Sequence, residues 1–395
     1  MTLRKKALEA NIWKYYALGF IRMFMLIMPI IVIFFQENGL NMAEVMILQA
    51  AFSVTVAIME LPSGFLADVL TRRTTLIVGF ILSFIGFLSY TLSYSFLGFL
   101  IAEIILGFGS SFISGTDSAL MYDTLIEIKK EKKYKEIEGK AMMFRGFAEA
   151  TAAIIGGLLA IVSLRLPFVI EACIMFFCIP LAFTLTEPNR KRYSHKKGYA
   201  YGLYKILRFA LYKNKNVKWL IIYSSIISTC TLVAVWFYQP YFQLVGLPLV
   251  YFGITWAVIN FAVGIFSKYA HDIENKLGKR NSFLILIPLI VVAYLIMGNV
   301  VFLPSILCVI IFAFVRGLSN PVMQDYINQV TYSDKRATVM SLKNLVGRII
   351  FVIFSPFIGW FADVYTIPVA LSLSAAFALV FGGVAIIFLR KHEVI

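Results

Sequence analysis

Ten ionisable side chains interrupt the long apolar runs of this 395-residue chain: Arg22, Glu60, Glu103, Asp117, Arg145, Glu149, Glu171, Arg316, Lys343 and Arg348. A charge in the middle of a hydrophobic helix costs about 2.5–3.5 kcal/mol on insertion scales. Ten such costs call for partners, or for a use. Two uses suit these residue types. An acid in a site that alternates between dry and wet can load and release a proton, because burial disfavours its charged form. A base in the same place can hold an anion. Simpler readings stand beside these. Glu60 with Arg22, and Glu149 with Arg145, can be ion pairs between or within helices, and Lys343 lies near enough to an end to snorkel.

Other chemistry finds little support in the residues. The three histidines fall in polar connections and none neighbours a nucleophile. Cys173, Cys178, Cys230 and Cys308 all lie in apolar runs with no CxxC or Cys/His cluster, which argues for small buried residues and against a metal site or disulfide framework. No HExxH, nucleophile elbow or phosphate loop is present, so an enzyme is not expected, nor any cofactor or metal.

The elements that must position these charges are long helices. The chain is 60% apolar and only 14% charged, with a mean hydropathy of +0.84. A soluble domain has about 45–50% apolar and about 25% charged residues. Twelve stretches reach the roughly 20 apolar residues that a spanning helix needs: 15–35, 45–67, 74–94, 97–121, 141–163, 167–186, 219–241, 249–270, 282–303, 305–327, 339–361 and 368–389. Helix is the assignment that satisfies every backbone polar group within the segment, and the short alternation of a barrel strand is missing. The first run is too long for a signal core and ends in Gln36-Glu37-Asn38 without a small-residue cleavage site, so it reads as a retained anchor.

Thirty of the 36 lysines and arginines fall on one side if the N-terminus is placed in the cytoplasm; only Arg165, read as interfacial, falls on the other. That asymmetry orients the chain with both termini inside. It also accounts for the net charge of +15 through the anionic inner leaflet, without nucleic acid. The longest connection, 187–218, bisects the chain into six-helix halves, 1–186 and 219–395. Part of it, roughly 201–211, is expected to lie on the membrane surface as an amphipathic helix.

At about 1.5 Å rise per residue, Arg22, Glu60 and Glu149 are placed roughly 10–12 Å below the cytoplasmic face. Asp117 and Arg145 come out shallower, Glu103 and Glu171 toward the outer face, and Arg316 and Arg348 near the midplane. Glu103, Ser110, Ser114 and Asp117 follow spacings of 7, 4 and 3, which puts them on one side of a continuous fourth helix. Residues 114–123 and 316–325 align at an offset of 202, with Gly115/Gly317, Met121/Met323 and Asp123/Asp325 matched, as in a parallel repeat of two halves.

The run Gly64-Phe65-Leu66-Ala67-Asp68-Val69-Leu70-Thr71-Arg72-Arg73 resembles the loop between the second and third helices of the major facilitator superfamily, with Thr71 where that family usually has Gly. The second half keeps Gly278-Lys279-Arg280 but carries Asn275 where the acid is expected. The resemblance covers the whole chain. It implies an all-α membrane fold of twelve helices in two six-helix pseudo-repeats, with spans 1, 4, 7 and 10 lining a cavity. It also implies a cytoplasmic gate in which Asp68 and Arg72, beside Gly64 and Arg73, meet an acid at the end of the fourth span, here Asp123. On cavity-lining spans, or next to them, stand Tyr238, Gln239, Trp256 and Asn260, in addition to the charges.

Glu60-Leu61-Pro62-Ser63 and the 114–123 run look like bacterial exporters of this superfamily. However, Glu103-Ile104-Ile105-Leu106-Gly107 replaces the usual Arg-x-x-Gln-Gly, and Ala152-Ala153 stand in the fifth span where Gly-Pro is usual. The resemblance therefore implies a monomeric secondary transporter of the bacterial cytoplasmic (inner) membrane, working by alternating access. Its partners would be the bilayer, protons and a small-molecule substrate. The expected function is proton-coupled export of small amphipathic compounds. The alternative is transport of an organic anion such as a siderophore or carboxylate metabolite, with Arg316, Arg348 or Arg22 as counter-charge.

Overall fold

The computed structural model describes residues 3–189, 214–331, 336–392 and 394, and no strand occurs among them. The helices are α1 (Leu3–Met23), α2 (Ile31–Glu37), α3 (Met42–Val69), α4 (Arg72–Leu92), α5 (Phe96–Ile113), α6 (Thr116–Glu127), α7 (Tyr134–Val162) and α8 (Leu166–Phe183). After the long connection come α9 (Lys215–Leu244), α10 (Val250–Lys268), α11 (Ala270–Leu277), α12 (Lys279–Asn299), α13 (Cys308–Gln329), α14 (Arg336–Val364) and α15 (Ile367–Lys391). Among the described residues, eleven helical stretches are long and apolar enough to cross a membrane. The first of the twelve expected spans is the exception, because it is divided. The surface helix expected at 201–211 lies outside the described residues.

Two expected spans are broken, and each break has a local cause. Residues 24–30 are not helical, and they include Pro29, which has no N–H to donate. The fourth span stops at Ile113 and restarts at Thr116, because Gly115 takes φ = 77°, a left-handed conformation that glycine adopts without a Cβ clash. Elsewhere, polar caps set the starts. The Thr71, Ser95, Asn214 and Thr366 side chains accept from the N–H three residues on.

The chain packs as two compact units. The first comprises the described residues of Met1–Leu40, Ala51–Ser194 and Leu249–Ala257; the second those of Asn41–Ala50, His195–Pro248 and Val258–Ile395. The start of α3 thus belongs with the second unit, and the start of α10 with the first. Small residues allow both placements. A Cβ on Gly359 of α14 would stand 2.7 Å from the Met42 carbonyl oxygen, and one on Gly157 of α7 would stand 2.9 Å from the Gly253 nitrogen. Within the first unit α4 lies on α5 through Gly79, Gly86 and Gly109. Within the second, α12 lies on α15 through Gly298 and Gly382. Without water to drive helices together, such close backbone approach supplies the packing.

The aligned repeat does not carry equivalent backbone. Gly115 ends a helix, whereas Gly317 sits inside α13, where a Cβ would stand 2.8 Å from the Val263 carbonyl oxygen of α10. Three of the four cysteines are buried as expected, but Cys173 is exposed.

Candidate functional site

Along α1, Tyr15, Gly19 and Arg22 recur at spacings of 4 and 3 and so share a face. Arg22 Nη1 stands 3.7 Å from Asp117 Oδ2, in the first turn of α6. Arg145 of α7 reaches the same oxygen, its Nη2 at 3.8 Å. It crosses α1 at Gly19, where a Cβ would stand 3.0 Å from Arg145 Nε. Arg145 Nη1 donates to Glu138 Oε1 (3.1 Å), and Nη2 donates to the Tyr15 hydroxyl (2.8 Å). That hydroxyl donates in turn to Glu138 Oε2 (2.5 Å). Two bases and two acids thus balance in one network, each side chain about a quarter exposed. Tyr15, Arg22 and Asp117 form the polar part of a small, partly open pocket whose apolar wall includes Leu76, Phe80 and Ile113.

Several expectations change here. Asp117 was expected on one continuous face with Glu103. The turn at Gly115 separates their helices, and Glu103 is buried within electrostatic reach of Tyr90. Of the two possibilities for Asp117, a free carboxylate or one held by Arg22 and Arg145, the geometry has the second. Arg22 turns to Asp117 instead of Glu60, which is exposed on α3. Glu149 is half-buried on α7, the same helix as Arg145. Glu138 was missed. The signal was available, because it lies seven residues before Arg145 and therefore on the same face, but it falls before the apolar run that defines the span.

At the expected gate, Arg72 Nε and Asp123 Oδ2 are 2.6 Å apart. Gly64 and Asp68 lie on α3, and the Asp68 side chain is outside the described set. Arg73 donates to the Phe183 carbonyl. An unforeseen acid completes this end. Glu187 accepts from the backbone N–H groups of Arg72 (3.1 Å) and Arg73 (2.8 Å), so that it caps α4 with both oxygens. The residues leading into the long connection are held as well. Asn11 bonds Thr186, and Glu127 bonds Asn189 N–H and Arg4.

Arg165 does more than sit at an interface. Its Nη1 donates to the carbonyls of Thr91 (2.7 Å) and Ser93 (3.0 Å), its Nη2 donates to Asn38 Oδ1 (2.7 Å), and it stacks 3.9 Å over Tyr94.

In the second unit, Tyr238 and Gln239 are almost fully buried, Tyr238 stacking on Phe242 and tilting against Phe312. Arg316 is half-buried beside Tyr238, and no ion pair to it is formed among the described residues. Arg348 is half-buried on α14, and Asn260 half-buried on α10. Trp256 is buried in the part of α10 that belongs to the first unit.

Comparison with known proteins places this geometry. A family model described as Major Facilitator Superfamily matches residues 16–353. The quinolone resistance protein NorA of Staphylococcus aureus is 23% identical over 166 residues, a match spanning 42% of either chain. An uncharacterized MFS-type transporter of Methanocaldococcus jannaschii is 22% identical over 381 residues, 92% of this chain and 94% of that one. Among solved structures, the nucleoside transporter NupG superposes with a TM-score of 0.77 at 13% identity, covering 98% of this chain and 100% of that one. A bacterial homologue of the human lysosomal transporter Spinster gives 0.76 at 15% identity, covering 99% and 98%. A POT family peptide transporter gives 0.73 at 14% identity, covering 98% and 97%. The chain is a multi-pass membrane transporter, not an enzyme, and it belongs to the major facilitator superfamily.

Proposed function

We propose that this transporter is a proton-coupled exporter of small amphipathic compounds. It acts as a monomer in the bacterial cytoplasmic membrane, with both termini inside. The observation that carries this reading is the network on Asp117. While ionised, Asp117 holds Arg22 and Arg145 at 3.7 and 3.8 Å. A proton on Asp117 removes the anion that both guanidiniums share and leaves Glu138 alone to balance two cations, and the repulsion favours moving α1 and α7 apart. Protonation thereby acquires a preferred conformation, which is the requirement for coupling a gradient to a conformational change. The membrane potential adds about 2.3 kcal/mol per charge per 100 mV. The likeness to NorA supports a drug-like cargo. The gate in this reading is Arg72 with Asp123, completed by Asp68 in the loop with Gly64 and Arg73.

The test is a cargo screen in proteoliposomes with an imposed pH gradient. Ethidium and a quinolone represent amphipathic cargo, and a nucleoside, a dipeptide and a dicarboxylate represent the other classes. Gradient-driven accumulation of the first two is expected. Accumulation of the dicarboxylate alone would instead favour an organic anion, siderophore or carboxylate metabolite. The half-buried Arg316, with no ion pair among the described residues, supports that second reading.

A further inference from the structure

The mechanism just described leaves the buried acids Glu103 and Glu171 unused, and Glu171 is the more enclosed. Glu171 of α8 has no exposed surface. Its Oε2 accepts a hydrogen bond from Leu26 N–H at 2.8 Å, inside the non-helical break of the first span. Its Oε1 is buried, with no hydrogen-bond partner among the described residues. A carboxylate ion solvated by one backbone N–H would carry a desolvation penalty of several kcal/mol, and a group so placed neutralises instead.

The break is made around this acid. Residues 24–30 leave the helix, so backbone carbonyls at the end of α1 lose their onward partners within the apolar layer. Interrupted helices of this kind, with half-helix ends and unwound carbonyls, are where carriers bind coupling ions. The Leu26 carbonyl cannot turn toward a metal ion. It is pressed on α7, where a Cβ at Gly156 would stand 1.9 Å from it. A metal cation takes several oxygen ligands, whereas a proton needs one.

The neighbours of Glu171 carry few charges. On its own helix, Cys178 lies within electrostatic reach of both Glu171 and Arg22 of α1, which joins the break to the Asp117 network. From α4, Tyr90 packs on Phe168 one turn before Glu171 and faces Glu103 of α5. From α7, Gly156 packs on the Leu26 carbonyl of the break. No ion pair to Glu171 forms among the described residues.

We infer that Glu171 is a proton-binding site of the transport cycle, loaded and unloaded where the first span is broken. The inference rests on the proton-coupled reading above. When water reaches the break, the carboxyl gives its proton to that water and becomes an ion that the water solvates. When the break closes, it takes a proton back and is neutral again.

Two measurements test it. Infrared difference spectra of the full-length protein in lipid should contain a protonated-carboxyl band at neutral pH. That band should vanish in Glu171→Gln and shift in Glu171→Asp. Spectra unchanged by either substitution overturn the assignment whatever the transport results. In proteoliposomes with ethidium as the probe, Glu171→Gln should lose accumulation driven by a pH gradient, down to the leak of protein-free vesicles, while ethidium counterflow persists. Uphill transport at the wild-type rate in Glu171→Gln overturns the inference, and so does accumulation driven by a sodium gradient at constant pH. A wild-type protein that accumulates no probe under a pH gradient overturns the exporter reading, and the infrared spectra still decide Glu171.

Discussion

Asp117 stands between two arginines, so a change there tests charge balance before it tests transport. Asp117→Asn should leave Arg22 and Arg145 facing each other and lower stability by about 1–3 kcal/mol. That range lies between an exposed and a fully buried pair, as about a fifth of the Asp117 side chain is exposed. Thermal unfolding in detergent measures this loss. A second change, Arg145→Gln, should restore stability without restoring gradient-driven transport; restored transport would mean that Asp117 serves only as a partner. The sequence made these three residues legible as intramembrane charges because few charges are tolerated in apolar runs. It offered Arg22 and Arg145 as partners of Asp117 only as one of two alternatives, beside a free carboxylate. Spacing along one helix says nothing about an arginine on another, and Arg145 reaches Asp117 only because Gly19 leaves room. Glu187 was illegible for a related reason: its role is to meet two backbone N–H groups of α4, which have no sequence identity to read.

At the level of elements, the spans were readable and their interruptions were not. Hydrocarbon demands a long apolar run, and that demand is written in composition. A break is decided by one or two backbone angles. Gly115 and Gly317 align in sequence, yet one turns the chain at φ = 77° and the other lets α13 touch α10. The two should fail differently. Gly115→Ala is expected to cost about 1 kcal/mol through its left-handed backbone alone. Gly317→Leu should cost more, because the side chain meets backbone and Phe266, and should separate α13 from α10. Unfolding midpoints measure both, and a cysteine cross-link between α10 and α13 that persists in Gly317→Leu would contradict the second. At the other end of the first unit, Glu187→Ala should fray α4 at a cost of about 1 kcal/mol. If Arg72 and Asp123 form the proposed gate, Glu187→Ala should also weaken that pair, 2.6 Å apart beside the cap.

On the scale of the whole molecule, the distribution of lysine and arginine predicts a side for each connection. Reporter fusions after residues 38, 165 and 365 should report the outside, and those after 130, 200 and 393 the cytoplasm. A cytoplasmic signal at 165 would reverse the orientation. The one arginine predicted to lie outside, Arg165, binds the carbonyls that close α4. The two halves read from the sequence, 1–186 and 219–395, differ from the two compact units because the starts of α3 and α10 pack with the opposite set. The start of α3 is held in a particular way. Asn41 and Glu44 cap each other's N–H groups at 2.9 Å, and Asp363 of α14 accepts from the next two, Met42 at 2.8 Å and Ala43 at 2.7 Å. The first turn therefore has no amide left over, and two of its four are secured by a residue 321 and 320 positions away. Those two amides can trade hydrogen for deuterium only while Asp363 has let go. Their isotope uptake thus counts the fraction of time that this end of α3 stands open, in a protein with no cargo and no attached probe. Asp363→Ala should raise uptake at residues 42 and 43 and leave the slow amides of mid-α3 as they were.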